Sequence, residues 1–159
     1  NRTSSMARKW FDEAVPPINA EIEQDHPLAV QAASTVTIVL TALPTLAFKT
    51  GAEAILQLAI AANGYLNDHA PWSRMKQPGQ EAEVANDLYV VLEAARLVGV
   101  LLTPLLPDLS GRILEQLGQA PLESDWENQL RWGGLVPGSP LPPPSPVMQR
   151  LETHFILQS

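Results

Sequence analysis

The sequence predicts an all-α fold: a bundle of about five helices followed by a Gly/Pro-rich, irregular C-terminal segment that ends in a short helix. Three observations carry this. Four segments repeat apolar residues in steps of three and four, the period of a helix with one buried face. No segment of useful length alternates apolar and polar residues as a half-buried strand would. Prolines sit at the ends of the helical segments, where they start or stop a helix, rather than inside them. With 159 residues, 45% of them hydrophobic, the chain has the size and apolar content of one domain with its own core.

The first helix is expected from Asn1 to about Asp12. It has no start signal, which reads as a helix cut within its length, and it ends before Val15-Pro16-Pro17 because proline disfavours helix in the preceding residue. The second runs from about Pro27, well placed in a first turn, to Leu43. Its expected stripe is Ala29, Ala33, Val36, Val39, Leu40 and Leu43. The third reaches Asp68 with the stripe Ala52, Ile55, Ala59, Ala62 and Leu66. Two starts compete: Thr50 with Glu53 has the spacing of a capping box, and Thr45 follows the break at Pro44. The fourth, Glu81 to Thr103, carries Val84, Leu88, Val91, Ala95, Val98 and Leu102, widened by Leu97 and Leu101. A helix this apolar belongs at the centre of a bundle. A shorter helix, about Pro107 to Leu117, ends at Gly118 in the position of a C-cap.

The character changes after Asp125, dividing a helical bundle (1–125) from a tail (126–159). RWGGLVPGSPLPPPSP cannot be regular helix, and Pro-rich composition alone reads as disorder. Trp126, Trp132, Leu135 and Leu141 give it something to pack with, and a last helix is expected over 147–156.

Composition excludes several functions. No cysteine means no disulfide, no thiolate chemistry and no cysteine-type zinc site. No charge-free run of 18 or more apolar residues is evident, so no membrane contact is expected, and the N-terminus lacks the apolar segment of a signal peptide. A reduced, cytoplasmic setting is the expectation. There is no phosphate loop, no GxSxG and no HExxH, and His26, His69 and His154 are far apart, so no catalytic residue and no metal ligand is assigned. His69 beside Asp68 reads as a polar helix end. The net charge of −7 argues against a broad, sequence-blind nucleic-acid surface. Five of the ten basic residues fall in two short stretches, Arg2, Arg8 and Lys9, then Arg74 and Lys76, each with a tryptophan, Trp10 or Trp72. On charge alone, the simpler reading is solvated side chains that never meet.

The stretch NGYLNDHAPWSRMK sharpens the question, because Trp72 follows a helix-ending proline among charges, where burial is difficult. Asn63, Tyr65, Ala70, Pro71, Trp72 and Lys76 form N-x-Y-x-x-x-x-A-P-W-x-x-x-K, and Phe48 supplies an aromatic fifteen residues earlier. Leu102 to Leu106 is a proline-broken helix end. Trp132, Gly133, Leu135, Gly138, Leu141, Pro144, Pro146, Arg150 and Glu152 form W-G-x-L-x-x-G-x-x-L-x-x-P-x-P-x-x-x-R-x-E. Together these resemble the anticodon-binding domain of methionyl-tRNA synthetases over essentially the whole chain. Gly64 departs from the family's long basic residue, and Met148 and Gln149 replace an aromatic and a proline.

The resemblance implies a helical bundle appended to a class I catalytic part that joins methionine to tRNA with ATP and Mg²⁺, and whose zinc knuckle and nucleotide motifs lie outside this chain. It implies that the tail returns toward that catalytic part. Its implied partner is the CAU anticodon loop of the methionine tRNA, with no DNA partner. Trp72 would stack on an anticodon base, and Arg2 would read the cytosine together with an asparagine that falls before Asn1. Lys76 would be a further contact. The chemistry suits these residue types: an indole stacks on unpaired bases with little regard for identity, while arginine and asparagine address base edges. Trp10, two turns beyond Arg2, is read as packing. The alternatives are the matching domain of another class I synthetase for an aliphatic amino acid, and a helical protein-interaction scaffold in which Trp72 is buried and Arg2 and Lys76 lie far from it.

Overall fold

The computed structural model describes residues 1–18, 24–122 and 125–148. Among them are helices α1 (Arg2–Trp10), α2 (Pro27–Ala42), α3 (Phe48–His69), α4 (Pro71–Arg74), α5 (Glu81–Leu102) and α6 (Pro107–Gln116), with 3-10 turns at Leu43–Thr45 and Trp126–Gln129. No strand occurs among the described residues, only an isolated bridge between Ala14 and Pro140. The fold is the all-α bundle that the sequence predicts. Most of the helix expected over 147–156 lies outside the described residues.

α5 is the central helix, as its apolar run requires. Val84, Leu88, Tyr89, Leu92, Ala94, Leu97, Val100 and Leu101 are all buried on it, so it meets neighbours on every side. α2 and α3 pack on each other and on α5, and α1, α4 and α6 pack on it as well. Asp87, Glu93 and Arg96 are also buried on α5, and each is paired.

Two stripes agree with the sequence reading only in part: Ala29, Val39, Ile55, Ala62 and Leu66 are buried as expected, and other members are not. α2 buries Leu28, Ala29, Ala32, Thr35, Val39 and Ala42, while Ala33 and Leu40 are exposed. Thr35 can sit inside because its hydroxyl donates to the Gln31 carbonyl one turn back, at 2.9 Å. α3 buries Gly51, Ile55, Leu58, Ala62 and Leu66, leaving Ala52 exposed. Neither expected start of α3 is used. The chain turns at Leu43–Thr45, Leu46 adopts φ 58°, and Ala47 N–H donates back to Ala42 at 3.0 Å, so the helix opens at Phe48 and Thr50 lies inside it.

One span, Pro27–Thr45, is long and apolar enough to cross a membrane by length and composition. It is uncharged but interrupted by Gln31, Ser34 and threonines, which the run-length criterion had passed over. In the fold it is the α2 that packs on α3 and α5.

α6 ends as its sequence requires. Gly118 has φ 70°, its N–H donates to Glu115, and Gln119 N–H donates to Leu114 at 2.9 Å, the hydrogen-bond pair of a Schellman motif. The segment after Gln129 is held by two features. Glu93 accepts from the N–H groups of Gly133, Gly134 and Leu135 and from Arg96, and Arg96 donates to the carbonyls of Gln129 and Arg131. Gly134 is needed there, because a Cβ would lie 2.6 Å from the Arg96 guanidinium carbon. Residues 138–141 then pair with 13–15, through Val15 N–H to Ser139, Gly138 N–H to Val15 and Leu141 N–H to Glu13. Leu135 and Leu141 enter the same core cluster as Leu88 and Tyr89.

Candidate nucleic-acid interface

The corner that carries Trp72 is made by one residue. Ala70 adopts φ 42° and ends α3, its N–H donating to Leu66 at 3.1 Å. Pro71 follows as the buried first residue of α4. Trp72 is thereby turned out at the end of α3. It is half-buried, leaning on the main core cluster with part of its ring uncovered.

Arg2, exposed at the start of α1, places its guanidinium 4.1 Å from the centroid of the Trp72 ring. Its Nη2 donates to Oδ1 of Asn67 at 3.1 Å. The two basic stretches therefore do meet, contrary to the reading from charge alone, but only through Arg2. Arg8 donates to the Leu141 carbonyl and pairs with Glu13. Arg74 pairs with Asp87 and Glu83 and reaches Gln80. Lys76 is exposed in the turn after α4, and among the described residues its side chain makes neither hydrogen bond nor ion pair. Trp10 is half-buried and packs on the main core cluster.

From the sequence Asn67 is read only as part of the polar helix end with Asp68 and His69, and not as a partner of Arg2. The signal was present: an exposed asparagine in the last turn of α3, one helical turn beyond Asn63 and just before the corner. It supplies a carbonyl oxygen that orients Arg2 and an amide that can donate to a base edge.

Beneath the corner lies a polar network. Tyr65 donates to Asp87 Oδ1 at 2.7 Å, and Arg74 donates to Asp87 Oδ2. His26, whose Nδ1 accepts from Leu28 N–H at the start of α2, brings Nε2 to 3.3 Å from the Tyr65 hydroxyl. His69 stacks on the Tyr65 ring with centroids 3.8 Å apart. Burial, then the hydrogen bond to Asp87 and its charge, push the Tyr65 hydroxyl well above its ordinary range, so it stays a donor at neutral pH.

An apolar groove of about 360 Å³ lies between the start of α1 and helices α3, α5 and α6, lined by Ala59, Ala62, Leu66, Val91 and Ala95 among others. Among the described residues no acidic, basic or histidine side chain lines it. Among the described residues no three His, Asp or Glu side chains group as metal ligands would. What the corner offers is an aromatic ring, a guanidinium and an amide.

An indole and a guanidinium at one corner of a helical bundle are groups of the kind with which RNA-binding domains meet unpaired bases. The chain belongs to the family of the anticodon binding domain of methionyl tRNA ligase, whose model matches residues 15–154. That match begins after α1, so Arg2 lies outside it.

Whole-chain likenesses extend further. The methionine–tRNA ligase of Synechocystis sp. is 36% identical over 96% of this chain, and that of Thermosynechococcus vestitus is 38% identical over 95%. The chloroplastic/mitochondrial methionine–tRNA ligase of Arabidopsis thaliana is 33% identical over 97%. The structure of Mycobacterium tuberculosis methionyl-tRNA synthetase in complex with methionyl-adenylate superposes with a TM-score of 0.83, at 32% identity, over 94% of this chain and 29% of that one. The chain spans about 30% of the length of the cyanobacterial relatives it matches.

Proposed function

We propose that this chain reads the CAU anticodon of a methionine tRNA as the anticodon-binding part of an ATP-dependent methionine–tRNA ligase. Trp72 is the platform on which an anticodon base stacks, and Arg2, oriented by Asn67, addresses the edge of the cytosine. Lys76 contributes a cation for the phosphate backbone. The tail after Asp125 returns, in the whole ligase, toward the catalytic part, where ATP, Mg²⁺ and zinc would act.

The observation that carries this reading is the meeting of Arg2, Asn67 and the Trp72 ring at one corner. The alternative of a protein-interaction scaffold expects Arg2 far from Trp72, whereas the guanidinium lies 4.1 Å from the ring centroid. Stacking on one aromatic supplies about 1–3 kcal/mol per base. Titration of a CAU anticodon stem-loop by fluorescence anisotropy tests the reading. Trp72→Ala should weaken binding by about 1–3 kcal/mol at fixed salt. Unchanged affinity in a folded Trp72→Ala variant would overturn it.

A further inference from the structure

We propose that Asp87 is a positioning residue for Trp72, fixing through Tyr65 and Arg74 the corner that sets the pose of the indole. The inference rests on the reading that Trp72 is the base platform.

The corner is intrinsically unfavourable. A non-glycine residue at φ 42° is strained, and such a conformation persists only where its surroundings over-determine it. Besides the backbone bonds of the bend and the burial of Pro71, two side-chain constraints come from one carboxylate. Asp87 is buried in the second turn of α5, between the fully buried Val84 and Leu88, so its position is set by the core. Its Oδ1 receives the Tyr65 hydroxyl from the end of α3. Its Oδ2 receives Nη1 of Arg74 from the end of α4. One anchor precedes Ala70 and the other follows Trp72, so the bend and the indole lie between two points tied to a single side chain.

Arg74 is committed to this task. Its Nε and Nη2 share Gln80 Oε1, and Nη2 also meets Glu83. Its hydrogen-bonding capacity is directed at its own chain rather than outward. That sets it apart from Lys76, two residues on, which is exposed and without an ion pair among the described residues. The tying of Arg74 also explains why an acidic residue is tolerated beneath a surface meant for an anion: its charge is neutralised by a cation that stays in place. Loss of the Asp87 charge removes the ion pair that holds Arg74 at one end and leaves the Tyr65 hydroxyl at most a neutral amide oxygen to donate to at the other. The core of α5 remains, and the indole loses its single orientation.

The test is a double-mutant cycle on the chain, with a CAU anticodon stem-loop as probe, at a temperature where circular dichroism shows every variant folded. Asp87→Asn keeps the shape and removes the charge. Binding should weaken about tenfold in the otherwise unaltered chain, and less than about twofold when Trp72 is already alanine. Equal losses in both backgrounds would show that Asp87 does not act through Trp72, and no loss in the first would do the same. The salt dependence separates positioning from direct contact. If Arg74 gripped a phosphate, Arg74→Gln would lower the salt slope by about one, whereas an internal tie leaves it unchanged. A lowered slope overturns the proposal. Should Asp87→Asn fail to fold, Tyr65→Phe removes one anchor with little change in volume. It should weaken binding about threefold with the same dependence on Trp72. Full affinity for Trp72→Ala alone would instead refute the platform itself, and the positioning role with it, a result distinct from a failure of coupling.

Discussion

The guanidinium of Arg2 stacks over the ring of Trp72, and the same guanidinium is tethered to Asn67. The two contacts join the start of α1 to α4, through the half-buried Trp72, and to the end of α3, through the exposed Asn67. A cation–π pair at an exposed site contributes only about 0.5–1 kcal/mol, so its purpose is better sought in orientation than in stability. Arg2→Ala is expected to lower stability by no more than about 1 kcal/mol in a chemical melt. The same change should remove about 1–3 kcal/mol of preference for a CAU over a UAU stem-loop, the worth of a good base-edge contact. Equal discrimination by the variant and the unaltered chain, titrated at one salt concentration, would assign the cytosine to other residues.

Gly118 closes α6 at φ 70°, and a Cβ there would lie 2.4 Å from the Pro140 carbonyl oxygen. Gly118→Ala therefore meets a left-handed backbone and a backbone clash at once. The expected loss is roughly 2–4 kcal/mol in urea denaturation, the sum of strain and overpacking. Gly79, at φ 79° with open space around it, serves as the control, and alanine there should cost only about 1 kcal/mol. Comparable losses at the two sites would mean that the tail yields at Pro140.

The fold was legible in the sequence where burial follows composition, and was missed where it follows pairing. α5 was readable because it is apolar nearly all round. The stripes of α2 and α3 are legible in part, at Ala29, Val39, Ile55, Ala62 and Leu66, and not at Ala33, Leu40 or Ala52, because alanines and threonines are spread over both faces and small differences in packing choose which are covered. Arg2 and Trp72 were legible as types, by resemblance, but their contact was not, since it depends on how α1 crosses the end of α3. Asp87, Glu93 and Arg96 gave no signal, because a buried carboxylate with a hidden partner looks like any surface acid in a one-dimensional pattern. The partners that reveal Glu93 are backbone amides of the WGGL turn, which carry no side-chain signature of their own.

Glu93 is fully buried and receives Arg96 together with three successive backbone amides. Glu93→Ala would leave the Arg96 charge without its counter-ion and those amides without an acceptor. Breaking a buried pair in this way costs about 3–5 kcal/mol. The loss should be concentrated in the tail. Amide hydrogen exchange at Gly133, Gly134 and Leu135 should accelerate far more than exchange in the middle of α5. Uniform acceleration throughout the bundle would show that Glu93 supports the whole core rather than one turn.

The last prediction concerns alkaline pH. Tyr89 is buried and donates to the Leu135 carbonyl at 2.7 Å. Burial, then the charge of Glu93, raise its hydroxyl well above the ordinary tyrosine value, and Tyr65 is raised by burial and by Asp87. In the folded chain both keep their protons where the unfolded chain, titrating near its ordinary value of about 10, releases them. Below about pH 10 the unfolded state gains nothing, and the stabilisation is fully present. Above it the unfolded state binds fewer protons than the folded one, so stability falls as pH rises. The urea midpoint should hold between pH 8 and about 9.5 and then decline. A Tyr65→Phe, Tyr89→Phe variant should start from a lower midpoint, having lost two hydrogen bonds, but its decline above about pH 10 should be shallower. Parallel alkaline slopes for the two proteins would show that other groups govern the loss, and that the two hydroxyls ionise as readily in the folded chain as in the unfolded one.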